Sequence, residues 1–213
     1  MATTSSAMDG IPVPGERLCG LTWFANLLWF SDAGLNQIFA VDPASGEIPR
    51  RIDCPEVRTG LTNLGGYLVQ VVGEDRRLRK LDPQTGAVTE EFPNPLPGQE
   101  LCGIEATAAG IWLGANDPEV LELRSSAPGF GVLNRIHVAD SIAGVTWTGR
   151  YVAYANYSGA KIYLVDPEIK SVVTSFDVDG NPTGLTWDGN HFWYCDHTNV
   201  RLRRLSINPL LDR

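Results

Sequence analysis

Gly184-Leu185-Thr186-Trp187-Asp188-Gly189-Asn190-His191-Phe192-Trp193 is the stretch on which the fold turns, because its opening recurs through the chain. The first four residues return as Gly20-Leu21-Thr22-Trp23, Gly60-Leu61-Thr62-Asn63, Gly103-Ile104-Glu105-Ala106 and Gly144-Val145-Thr146-Trp147. Successive glycines stand 40, 43, 41 and 40 residues apart, which divides the chain into five similar units. A second marker keeps the same register. The aspartates of Val41-Asp42-Pro43, Leu81-Asp82-Pro83 and Val165-Asp166-Pro167 each lie 22 residues after the glycine of their unit.

Within a unit, short runs of tryptophan, phenylalanine, valine and leucine alternate with turn residues. In the first unit this predicts strands over 20–24, 27–32, 37–41 and 47–53, broken at Ala25-Asn26, Ala33-Gly34 and Pro43-Ala44-Ser45-Gly46. Asp-Pro-x-x-Gly is a turn with a mechanism: proline presets φ and glycine takes the left-handed position. No apolar pattern keeps a 3.6-residue period beyond one turn, so helices are not expected. Four antiparallel strands at this period are the signature of a propeller blade, and five units predict an all-β, five-bladed β-propeller. Unit five runs through 201–206 and stops where its fourth strand is due. Residues 11–16, ahead of the first unit, are predicted to supply that outer strand and close the ring. Residues 1–8 read as a flexible lead and 9–213 as one domain.

Lys and Arg number 17 against 25 Asp and Glu, a formal charge of −8. That sign opposes nucleic-acid phosphates and an anionic membrane surface alike. No apolar run approaches the roughly 18 residues of a membrane span. Met1-Ala2-Thr3-Thr4-Ser5-Ser6-Ala7-Met8 carries neither a basic nor a hydrophobic region, so no secretory signal is expected. Four cysteines without a CxxC pair predict neither a zinc knuckle nor a disulfide framework. The expected setting is cytoplasmic and the expected partner a small molecule.

In a propeller the first strand of each blade lines the channel and the second runs back beside it. The residues before each glycine (Cys19, Thr59, Cys102, Ala143 and Thr183) therefore share a face with the second-strand ends. Those ends read Asp32, Glu74-Asp75, Asn116-Asp117, Asn156-Tyr157 and Asp196-His197. Asp32, Asp75, Asn116, Asn156 and Asp196 form a ring of oxygen ligands suited to calcium or magnesium. Alternatively, each makes a turn with its own backbone. Glu105 joins the ring as a candidate ligand and catalytic group, because it replaces the threonine of the other units. Zinc is disfavoured, since His137, His191 and His197 are scattered. His197 is the candidate acid–base residue, histidine being the side chain that exchanges protons near neutrality; the alternative is an idle turn histidine. Cys19, Cys102, Tyr157 and Thr183 are candidate substrate contacts. Small, buried cysteines are the other reading of Cys19 and Cys102. Tryptophans at fixed offsets read as inter-blade packing. Arg76-Arg77-Leu78-Arg79-Lys80 reads as a solvated blade face.

The 184–193 stretch, with Ser-Asp-x-Gly-x-Asn-x-Ile and Val-Asp-Pro-x-x-Gly, resembles the repeats of bacterial propellers of the glutamine cyclotransferase and streptogramin lyase group. Gluconolactonases are more distantly similar, and the resemblance spans residues 20–206. The cyclotransferases carry a glutamate at the channel mouth, where this chain has Cys, Thr, Cys, Ala and Thr; Glu105 is displaced by three positions. The lyase resemblance implies a histidine–glutamate–magnesium site, which His197 with Glu105 would echo. The gluconolactonase resemblance implies a divalent cation, with Glu105, Asn116, Asn156 and Asp196 as the comparable set. These readings converge on a metal-assisted lyase, hydrolase or cyclase acting on a small polar molecule. Glu105, Asn156 and Asp196 would hold the cation and His197 would move the proton. The alternative is a non-catalytic propeller that binds a ligand or protein partner.

Overall fold

The computed structural model describes residues 10–127 and 129–205, and within them the chain is all-β with no helix. A short strand β1 (Ile11–Pro12) comes first. Blade one is β2 (Leu18–Phe24), β3 (Leu27–Asp32), β4 (Gln37–Val41) and β5 (Arg50–Asp53). Blade two is β6 (Val57–Leu64), β7 (Tyr67–Val72), β8 (Arg77–Leu81) and β9 (Val88–Phe92). Blade three is β10 (Glu100–Thr107), β11 (Gly110–Asn116), β12 (Val120–Arg124) and β13 (Val132–His137). Blade four is β14 (Gly144–Trp147), β15 (Val152–Asn156), β16 (Lys161–Asp166) and β17 (Ser171–Asp177). Blade five holds β18 (Pro182–Trp187), β19 (Phe192–Asp196) and β20 (Arg201–Leu205), and β1 completes it as the fourth strand. This is the five-bladed propeller that the repeat predicts.

The inner strands touch in the cycle β2, β6, β10, β14, β18 and back to β2. The repeat glycine makes that ring possible. A Cβ on Gly144 would stand 2.2 Å from the Thr183 carbonyl oxygen, and one on Gly184 2.6 Å from the Leu21 nitrogen. Five blades closing on a narrow channel bring backbone against backbone there, and any side chain would hold them apart. The core lies between blades. Leu21, Phe30 and Phe39 of blade one pack with Trp193, Cys195 and Leu202 of blade five, and Trp112 of blade three stacks on Trp147 of blade four.

The Asp-Pro-x-x-Gly turns form as their residues dictate: Gly46 N–H reaches Asp42 O at 2.8 Å, with Gly46 at φ +75°, and Gly86 does the same to Asp82. The first such turn also shortens a predicted strand. Asp42 N–H donates to Glu47 O, which holds Glu47 in the turn, so β5 begins at Arg50 rather than at 47. The closing strand is likewise shorter than 11–16. After Pro12 only Val13 N–H still reaches β20's neighbour, Val200 O, at 3.4 Å, and the amides of Glu16 and Arg17 turn away to Asp32. The expected flexible lead 1–8 and the end of the chain from 206 lie outside the described residues. No helix of the described residues is long and apolar enough to cross a membrane.

Candidate functional site at the channel mouth

All five pre-glycine residues, Cys19, Thr59, Cys102, Ala143 and Thr183, line one cavity of about 370 Å³ at the channel mouth. Tyr157 and His197 from the second-strand ends line it too, as do Arg17, Arg58 and Arg76. Three arginines and no Asp or Glu are among its lining residues. Arg17 donates to Ala33 O at 2.9 Å, Arg58 pairs with Glu74 at 3.1 Å and Arg76 with Glu100 at 3.4 Å, both glutamates outside the lining.

The two kinds of strand-end residue part company because successive residues in a strand face opposite ways. His197 and Tyr157 face the mouth. Their neighbours Asp196 and Asn156 turn back into their own blades. Asp32 is buried and accepts four backbone N–H bonds, from Glu16 and Arg17 at 2.8 Å and from Gly34 and Leu35 at 2.8 and 2.7 Å. Asp196 accepts from Arg203 Nε at 2.7 Å and from the Asn199 side chain at 2.8 Å. Burial pushes the Asp196 carboxyl up, but Arg203 and Asn199 outweigh it and hold the group below its ordinary range. Asn116 Oδ1 accepts from Ile142 N–H and Asn156 Oδ1 from Gly159 N–H. Asp75 stands outside the register altogether, since the residue of β7 facing Val57 is Val72; it pairs instead with Arg77 on the surface.

The members of the predicted oxygen ring are thus engaged separately: Asp32, Asn116 and Asn156 on backbone amides, Asp196 on Arg203 and Asn199, and Asp75 on Arg77. Among the described residues no three His, Cys, Asp or Glu side chains gather as a metal would require. The donor set does not fit the divalent cation that the family resemblance implies.

Glu105 lies elsewhere again. It sits two residues beyond Gly103 in β10, about 7 Å along the strand, and accepts from Thr62 Oγ1 at 3.4 Å. Burial among the channel walls drives its carboxyl up to about 8, with the Thr62 hydroxyl opposing only weakly. The folded protein therefore holds a proton on Glu105 that the unfolded chain releases near the ordinary value of 4.5, so stability falls as pH rises between those values. Glu105→Gln is expected to melt with the native protein at pH 4, below the window in which the two states differ in protonation. At pH 9 it should be more stable by roughly 1–3 kcal/mol, allowing for channel water. Thermal melts of both proteins at both pH values test this, and parallel pH profiles would overturn it.

At two junctions the mouth residues share one arrangement. The Thr183 hydroxyl donates to Leu18 O at 2.9 Å, and His197 Nδ1 lies 3.2 Å from the same oxygen. The Thr59 hydroxyl donates to Leu101 O at 3.0 Å, and Arg76 Nη1 donates to it at 2.8 Å. A carbonyl only accepts, so Nδ1 carries the ring hydrogen and Nε2 holds the free lone pair of the neutral imidazole. Tyr157 meets that ring edge-on at 5.7 Å. Both cysteines are held as neutral thiols by burial, Cys19 at about 11 and Cys102 also raised despite the nearby Arg76 charge. Neither has the low pKa of a nucleophile.

Sequence reading missed the three arginines of the mouth, Arg17, Arg58 and Arg76, of which Arg76 is the most deeply buried. It belongs to a basic run that looks solvated, yet it is 9% exposed. Its backbone is left-handed (φ 54°), as at the matching turn positions Asn36, Ala160 and Val200. Asparagine commonly adopts that conformation and arginine seldom does, so a bulky residue there was the available signal.

No family model and no curated protein matches this chain. Solved structures do. The glutaminyl cyclase of Myxococcus xanthus aligns over 96% of this chain and 95% of its own at a TM-score of 0.78, with 10% identity. A calcium-binding regucalcin of Agrobacterium tumefaciens aligns over 92% and 91% at 0.62, with 12% identity. The virginiamycin B lyase of Staphylococcus aureus aligns over 92% and 68% at 0.55, with 16% identity. At these identities the likeness is one of fold. Two of these neighbours are enzymes and one is a calcium-binding protein.

Proposed function

We propose that this propeller is an enzyme of the lyase or hydrolase type acting on a small polar molecule that carries an anionic group. The observation that carries this reading is the convergence of Arg17, Arg58, Arg76 and His197 on one cavity whose lining includes no Asp or Glu, the partners of Arg58 and Arg76 (Glu74 at 3.1 Å and Glu100 at 3.4 Å) standing outside it. Guanidinium groups recognise carboxylates through paired, charge-assisted hydrogen bonds. In a chain of net charge −8, a cationic concavity also draws anions in selectively. His197 lines the same space, and with Nδ1 on the Leu18 carbonyl its Nε2 is the atom that would take or return the proton. A cyclotransferase reaction has less support, because the mouth lacks the glutamate it would use. Metal assistance has no support from the donor geometry among the described residues. The binding-only alternative draws on one observation: His197 is oriented by a carbonyl rather than by a carboxylate that would stabilise its charged form.

A panel of lactones, cyclic depsipeptides and peptides with amino-terminal glutamine, each with and without a free carboxylate, separates these readings. Carboxylate-bearing members should raise the melting temperature, and Arg58→Gln should weaken their binding about tenfold. His197→Gln should keep the binding and lose turnover by about 10²–10⁴-fold. Equal binding of carboxylate-free members would overturn the anion assignment. Unchanged turnover in His197→Gln would remove the histidine from the reaction.

A further inference from the structure

The five blade interfaces are not filled alike. Tryptophan recurs three and nine residues after the repeat glycine, and the ninth-position residue of one blade faces the third-position residue of the next. Trp112 and Trp147 meet in this way between blades three and four, with ring centroids 6.2 Å apart and planes inclined by 21°. Trp193 and Trp23 share a cluster between blades five and one, and Trp187 packs with Ala153 between blades four and five. Trp29 packs against Leu61 and Leu68 of blade two. Between blades two and three both positions are small: Val69 and Ala106.

A cavity of about 680 Å³ opens at that interface, lined by Leu64, Val69, Leu78, Phe92, Ile111 and Phe130 among others. The equivalent groove beside Trp112 and Trp147 holds about 320 Å³. Two segments that the repeat does not demand border the larger cavity. One is the Pro93–Gly98 connector, which lies in the unit with the longest glycine spacing. The other is the loop through Ala127 and Phe130, whose ring meets Phe92 edge-on at 6.0 Å. The larger apolar groove forgoes packing that the stacked Trp112 and Trp147 supply between blades three and four. The charged rim is already engaged: Lys80 pairs with Glu90 at 3.6 Å, and Arg124 pairs with Glu122 and donates to Phe130 O.

From this geometry we infer that the cavity between blades two and three is a binding site for a small, neutral, planar aromatic molecule. The molecule takes the place that the stacked indoles hold between blades three and four. The volume suits a ligand of one to three fused or linked rings, and the Phe92 and Phe130 rings in its lining supply aromatic contact. The site is separate from the channel mouth and does not depend on the activity proposed there.

N-phenyl-1-naphthylamine, a neutral probe that fluoresces in apolar surroundings, tests the assignment on the full chain. Saturable binding of one probe per chain is expected. Val69→Trp and Val69→Phe, which place a ring on a lining position where three other blades carry tryptophan, should each weaken binding at least tenfold. Phe130→Ala lies in a loop outside the strands, so it tests the site without endangering the fold; a severalfold loss is expected. Arg58→Gln at the mouth should bind the probe as the native protein does. Absence of saturable binding to the native chain overturns the inference. So does binding left unchanged by Phe130→Ala and by whichever filled variants fold, or binding lost in Arg58→Gln.

Discussion

Gly144→Ala should cost about 3 kcal/mol or more, which for a chain of this length lowers the melting temperature by roughly 6–12 °C. The added methyl would lie 2.2 Å from the Thr183 carbonyl oxygen and 2.9 Å from the Leu185 nitrogen, both backbone atoms of the next inner strand. A flexible side chain could swing aside; an inner strand held in its own sheet cannot. Relief requires blades four and five to separate, which opens the packing of Tyr194, Leu185 and Phe192 against Ala153 and Ala155. The damage should extend to the mouth, because Thr183 carries both the threatened carbonyl and the hydroxyl bonded to Leu18 O. Gly131→Ala serves as the control. That position has no neighbour within 4 Å of an added Cβ and should change stability by only about 0.5 kcal/mol. Thermal melts followed by circular dichroism decide it. Equal melting of the two variants would mean that the glycine ring does not set the channel width.

Deleting residues 1–16 should be at least as damaging, at about 3–5 kcal/mol. The deletion removes the pairing of Ile11 with Leu202 and of Pro12 with Arg201, and so exposes the edge of β20. It withdraws Ile11 and Val13 from the cluster they share with Trp193 and Leu202. Asp32 also loses the Glu16 amide while remaining buried. An open strand edge beside apolar surface invites association, so the truncated chain should elute larger as its concentration rises. A synthetic peptide of residues 10–16 should partly restore the melting temperature when added in trans. An unchanged melting curve in the truncated chain would show that blade five holds without its fourth strand. The consequence reaches function through Arg17, whose amide is anchored on Asp32 and whose side chain lines the mouth.

The sequence by itself determined the number of blades, the four-strand plan, the closing role of the N-terminal segment and the five residues around the mouth. Each follows from a repeat of fixed period, in which glycine must stand where backbones meet and a residue's place in the unit gives its place in the ring. Cys19, Thr59, Cys102, Ala143 and Thr183 could be named for that reason, and His197 and Tyr157 with them. The direction of each side chain and the charge of the finished site were decided only by the tertiary structure. Asp32 and Asp196 stand one residue from mouth-facing positions, yet strand alternation turns them onto local amides and Arg203. Arg76 comes from a run that looks solvated, and its left-handed turn carries it across to the Leu101 carbonyl of the next blade. An acidic composition thus encloses a mouth lined by arginines, because the carboxylates are held in turns and in ion pairs outside the lining, such as Glu74 with Arg58 and Glu100 with Arg76, while ring closure brings the arginines together. Composition counts charges without regard to where they meet; the ring decides that.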